Sequence, residues 1–157
     1  MRRLLHVLHI LHVLVVPLAL SAAGCNSSTA STLSTTPATV LTETLTGTVP
    51  APINGSLQSD VKTFTTTQSG TVTLTLTSAV ETLPGGVLFP TVVIGIGIGT
   101  PSGSTCSVPS GNSTTAQSSS AVLLSGTLSA GSYCLQVSDV TDQSGPVQYT
   151  ILLTHPQ

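Results

Sequence analysis

The stretch Gly126–Ser138, GTLSAGSYCLQVS, decides how the rest of the chain is read. A short polar turn leads into strict alternation. Tyr133, Leu135 and Val137 fall on one face, while Cys134, Gln136 and Ser138 fall on the other. A strand with one apolar and one polar face belongs to a half-buried antiparallel sheet. The apolar face seeks a core, and the outer face carries a thiol able to tie down a loop.

The same period recurs on both sides. Residues 41–49 read as a strand ended by PAPING, and residues 60–66 as a second centred on Phe64. TVTLTLT alternates perfectly, with Val72, Leu74 and Leu76 on one face and threonines on the other. Residues 87–98 form a more apolar strand, 121–128 another, and 147–153 a last one whose inner face is Val147, Tyr149, Ile151 and Leu153. Between them, residues 100–120 read as a long Ser/Gly/Pro-rich loop, which needs a reason inside a compact domain. Ser and Thr make up 49 residues and charged residues only 5% of the chain, a balance that suits pleated surfaces better than helices. The expectation is an all-β, jelly-roll-like antiparallel β-sandwich of seven or eight strands over 41–154, with 155–157 as a tail.

Residues 1–24 have a different character. Arg2 and Arg3 precede an apolar run containing His6, His9, His12 and Pro17, with small residues at its end. These are the parts of a signal peptide, and the run is shorter than a spanning helix requires. The three histidines at three-residue spacing read as uncharged passengers in a discarded leader rather than a metal site. The leader closes on LSAAGC, which resembles the lipobox of bacterial lipoproteins; Gly24 and Cys25 match its most demanding positions, whereas Ala22 stands where Leu or Val is usual. That resemblance implies lipidation at Cys25, anchorage to the cell membrane, and, from Asn26 by analogy, an outer-membrane or cell-surface location. Residues 25–40 then read as a flexible Ser/Thr-rich tether.

With Cys25 assigned to lipid, the two other cysteines of an exported chain are left as a pair, Cys106 with Cys134. The disulfide supplies the reason for the 100–120 loop. Without its leader the chain sets Lys62 against five carboxylates, a formal charge of −4, so it has no basic footprint for nucleic acid.

Within 92–98, Ile94, Ile96 and Ile98 line one face, and Gly95, Gly97 and Gly99 leave the other bare. A bare strip admits close approach of another backbone. Two readings stand: a docking edge for a partner, or a floor covered by a loop of the same domain. A dinucleotide loop is excluded because Thr100 occupies the required third glycine position.

The strands in their order resemble the bacterial pre-peptidase C-terminal domain, a jelly-roll-like sandwich of secreted proteins. The likeness rests on DVKTF with Asp60 and Phe64, on SGTVTLTLT, on GTLSAGSYCLQV with its Gly-x-Tyr entry, and on GPVQYTILL. The chain departs from that family in lacking further acidic residues near Asp60 and in placing Cys134 where an apolar residue is usual. Such domains accompany a peptidase or another catalytic domain. This chain has no such domain, so no catalytic association carries over.

Catalytic chemistry finds little to use. After the leader, His155 is the one histidine, expected in a mobile tail and poorly placed as a base beside a serine. G-x-S-x-G is absent, and zinc has no ligand set. Asp139 and Asp142, in SDVTDQSG, read either as a calcium loop or as a solvated turn with Asx hydrogen bonds, the latter being the simpler. Sugar binding is disfavoured by a chain with no Trp and only Phe64, Phe89, Tyr133 and Tyr149 for stacking. The expected function is therefore a non-catalytic, lipid-anchored envelope module without cofactors, binding a protein or polymer ligand. The alternative is a structural or assembly protein using strand 92–98 as a docking edge.

Overall fold

The computed structural model describes residues 38–140 and 143–157. Cys25, the leader, most of the tether and Asp142 lie outside the described residues. Ten strands follow in order: β1 (Val40–Val49), β2 (Ser59–Thr66), β3 (Gly70–Thr82), β4 (Leu88–Phe89), β5 (Ile94–Ser102), β6 (Thr105–Ser107), β7 (Ser113–Ala116), β8 (Leu124–Leu128), β9 (Gly131–Asp139) and β10 (Val147–Pro156).

They make two five-stranded antiparallel sheets. In the first, the order is β1-β10-β3, and β4 and β8 both pair with β3; in the second it is β2-β9-β5, with β6 and β7 both on β5. Each sheet alternates, so its inner residues interlock with those of the other. Val72, Leu74 and Leu76 of β3 and Ile151 and Leu153 of β10 meet Phe64 of β2, Ile94 and Ile96 of β5, and Leu135 and Val137 of β9. The outer face of the first sheet is dressed with hydroxyls in place of charges. Thr42, Thr154 and Thr73 stand abreast on β1, β10 and β3, and the first two are hydrogen-bonded at 3.1 Å.

The all-β sandwich is as expected, but three details differ. Among the described residues the strands number ten, because the 100–120 segment is not structureless: β5 continues to Ser102, and β6 and β7 follow. Residues 87–98 are not one strand, since Phe89 and Ile94 belong to separate strands on opposite sheets. The chain has no tail at 155, because β10 runs on and the inward alternation of Val147, Tyr149, Ile151 and Leu153 continues to His155. That imidazole is fully buried, 5.5 Å from the Phe64 ring centroid, with Nε2 3.5 Å from Glu43 Oε1.

Candidate functional site

The outer face of the second sheet carries a large open cavity. Its floor follows from register. Gly95, Gly97 and Gly99 stand opposite Ser138, Gln136 and Cys134 of β9, and Gly95 and Gly97 also face Thr115 and Ser113 of β7. Ile94 and Ile96 point into the core, so the glycines point outward. They are nevertheless buried.

What covers them is the chain itself. At the end of β6, the Ser107 carbonyl lies against Gly99; just after it Val108 lies over Gly97, while Val140 and Ser138 cover Gly95. A Cβ added to Gly97 would sit 2.7 Å from Val108 Cγ1, and one on Gly95 2.6 Å from Val140 Cγ1. Of the two readings of the glycine strip, the covering loop of the same domain is the one observed. Nor is β5 an edge: β9 pairs along one side and β7 and β6 along the other. The expectation of a docking edge over 92–98 is corrected on this point, because both rows of its backbone groups already have partners.

The covering segment is fastened by the Cys106–Cys134 disulfide, which links β6 to β9 across 28 residues of sequence. Cys134 is on the outer face, as its alternation with Tyr133 requires, and the bridge seals it from solvent. Between the fastened segment, β7 and Val140 there remains an open groove of about 620 Å³. Val108, Pro109 and Val140 supply apolar walls, and Ser110, Ser113, Thr115, Gln136 and Ser138 supply hydroxyls and one amide. Among the described residues no charged or aromatic side chain lines it. Gln136 also borders a second cavity of about 360 Å³, reached past Cys106 toward Asp60. Such a surface can make neutral hydrogen bonds and exclude some water; among the described residues it presents no imidazole, carboxylate or free thiol.

The other candidate residues lie elsewhere. Asp139 ends β9 and is only 2% exposed, which corrects its reading as part of a solvated turn. Glu81, also buried, accepts hydrogen bonds from the backbone N–H groups of Ser144 (2.6 Å) and Gly145 (2.9 Å), closing the following segment onto β3. Among the described residues no three His, Cys, Asp or Glu side chains gather as a metal-binding set. Asp60 pairs with Lys62 at 3.1 Å and accepts a hydrogen bond from Tyr149. Burial, reinforced by that carboxylate, holds the Tyr149 phenol well above its ordinary pKa.

The sequence reading named the glycines and both cysteines but missed Val108 and Val140 as walls. Their positions depend on the disulfide and on how the chain leaves β9, and neither is written in a local period. Comparison of the chain with protein-family models, curated proteins and solved structures found no match.

Proposed function

We propose that this chain is a non-catalytic, lipid-anchored module of the bacterial cell envelope. Its groove on the second sheet binds a neutral polymer rich in hydroxyl or amide groups. The observation that carries the reading is the groove's construction: a glycine floor, uncharged hydrogen-bonding walls and a rim held by the Cys106–Cys134 bridge. A rim fixed in advance loses less freedom on binding than a mobile one. Among the described residues the lining has no charge, which disfavours phosphates, nucleic acid and carboxylates as ligands. Support for the anchor comes from LSAAGC and the apolar run before it, with Cys25 as the lipidated residue.

The finer fold assignment belongs to the same proposal. Leaving out the short β4 and β6, the sheet orders β1-β10-β3-β8 and β2-β9-β5-β7 are those of an eight-stranded jelly roll. That arrangement is compatible with the resemblance to the pre-peptidase C-terminal domain and with an accessory role.

Two measurements test the reading separately. Mass spectrometry of the mature protein is expected to find an acylated N-terminal peptide beginning at Cys25; a water-soluble mature chain starting elsewhere refutes the anchor. For the groove, co-sedimentation with insoluble chitin, a neutral polymer of hydroxyl and acetamido groups, is the probe. Ser138→Trp, which fills the groove, is expected to abolish binding while leaving the unfolding midpoint nearly unchanged. Binding that survives the substitution, or wild-type protein that stays in the supernatant, removes this ligand class.

A further inference from the structure

At one end of the sandwich, the chain exposes a set of apolar side chains. Val49 of β1 and Glu81 of β3 flank Val147 of β10, so the crossings from β1 to β2 and from β3 to β5 leave from the same end. The second crossing is a tight hairpin. Leu83 N–H donates to the Val87 carbonyl at 2.8 Å, Gly86 N–H donates to the Leu83 carbonyl at 3.0 Å, and Leu88 and Phe89 pair with Thr82 and Glu81. Gly85 and Gly86 take positive φ, which lets the chain turn this sharply. The hairpin therefore holds Val87, Leu88 and Phe89 outward at 60, 65 and 46% exposure. Ile53 and Leu57, on the first crossing, are also exposed. Three consecutive exposed apolar residues on an ordered hairpin serve no folding purpose.

We infer that this tip inserts into a lipid bilayer, the one in which Cys25 is held. The inference rests on the lipid-anchor reading given above. Three observations select a bilayer over a protein partner. The two crossings that expose these side chains carry no charge: from Thr82 to Ser138, and from Pro50 to Ser59, the sequence contains no Asp, Glu, Lys, Arg or His, and Asp139, which ends β9 at the same end, is buried. A charge-free apolar wedge suits a hydrocarbon boundary and gives a protein partner no polar rim to recognise. Next, the reach suffices. Both Val40 and Pro156 lie at the opposite end of the sandwich, one length of β1 away, about 34 Å for its ten residues. The 15 residues from Cys25 to Val40 span up to about 50 Å, so an anchored chain can place its far end on the same membrane. Finally, an anchored tip needs little affinity of its own. Tethering raises its effective concentration at the surface, so three apolar side chains that bind weakly from solution suffice to orient the sandwich.

The chain contains no tryptophan, so Leu88→Trp makes a single reporter. Full-length protein carrying it is expressed with its leader, purified and reconstituted into phosphatidylethanolamine–phosphatidylglycerol vesicles. The expected result is blue-shifted emission that brominated acyl chains quench, against solvent-like, unquenched emission from Thr67→Trp at the opposite end. Solvent-like emission from Leu88→Trp overturns the inference. So does a blue shift without bromolipid quenching, which reports burial against protein, including a second copy. If mass spectrometry finds no acyl chain, the anchor reading fails by itself. The water-soluble Leu88→Trp protein is then added to the same vesicles, where quenching upholds the tip and its absence overturns it.

Discussion

Tyr149 Oη donates a hydrogen bond to Asp60 Oδ2 at 2.8 Å, and this single contact joins β10 of one sheet to β2 of the other. It is possible because Gly47 stands beside Tyr149 on β1: any Cβ there would collide with the ring and with the carboxylate. Tyr149→Phe keeps the ring and removes only the hydroxyl. Asp60 retains Lys62 and partial contact with water, so the cost should fall near the low end for hydrogen bonds to charged groups, about 1–2 kcal/mol. Urea unfolding of the variant is expected to show a lowered midpoint with unchanged slope. An unchanged midpoint would mean that the contact between the sheets adds nothing.

The same pair sets behaviour in alkali. Burial first, then the Asp60 carboxylate, raises the folded-state pKa of Tyr149 above the ordinary value of 10.0. A pKa raised on folding means that the native state holds the proton more tightly than the unfolded chain. The contribution of Tyr149 is therefore complete below about pH 10 and declines as pH rises through and beyond that value, by at most about 1.4 kcal/mol per pH unit. Denaturant midpoints should fall above pH 10 in wild type and fall less steeply in Tyr149→Phe. Parallel decline in the two proteins would assign the alkaline loss to other groups.

The parts of the fold that were legible in sequence are those with an unbroken period of two. TVTLTLT and SYCLQVS repeat long enough to fix both faces, and the register of β9 then fixed which glycines face outward. Legibility ended where the period changed phase. β3 does not stop at Thr77: a bulge there lets Leu76 and Ser78 pair with consecutive residues of β10, so Ala79 and Glu81 become the inward set. β4, β6 and β7, of two to four residues, are too short to show any period. Chain ends are ordinarily mobile, but the alternation of β10 runs on to His155 and places it inside beside Phe64. The groove was half legible. Its glycine floor is a sequence pattern, but its walls are long-range contacts.

The disulfide should act on both stability and groove. Linking residues 28 apart restricts the unfolded chain by about 3–4 kcal/mol in the chain-entropy model, an upper figure for a native bridge. The paired substitution Cys106→Ala and Cys134→Ala is expected to lower stability by no more than that. It should also increase amide hydrogen exchange over 100–112 more than over the core strands β3 and β10. Non-reducing peptide mapping of the wild type should recover the two cysteines in one cross-linked peptide. Exchange that rises uniformly across the sandwich would show that the bridge does not act locally on the groove rim.

Gly97 gives the sharpest test of the covered floor. Its outward position lies under Val108, whose Cγ1 would be 2.7 Å and Cγ2 3.2 Å from an added Cβ, with Ser113 Cβ at 3.3 Å. Valine favours strands, so on backbone preference alone Gly97→Val would stabilise β5. Against this, its branched side chain must displace Val108, and that segment cannot move freely because Cys106 is fastened two residues before it. Overpacking of this kind typically costs about 1–3 kcal/mol, more than the strand preference returns. The expected outcome is a lowered unfolding midpoint with unchanged sedimentation. Relief should follow from Val108→Ala in the same chain, since it removes the two methyl groups that clash. A stable Gly97→Val that loses an oligomer present in the wild type would instead mean that the strip receives a second molecule, and the covering by Val108 would not hold in solution.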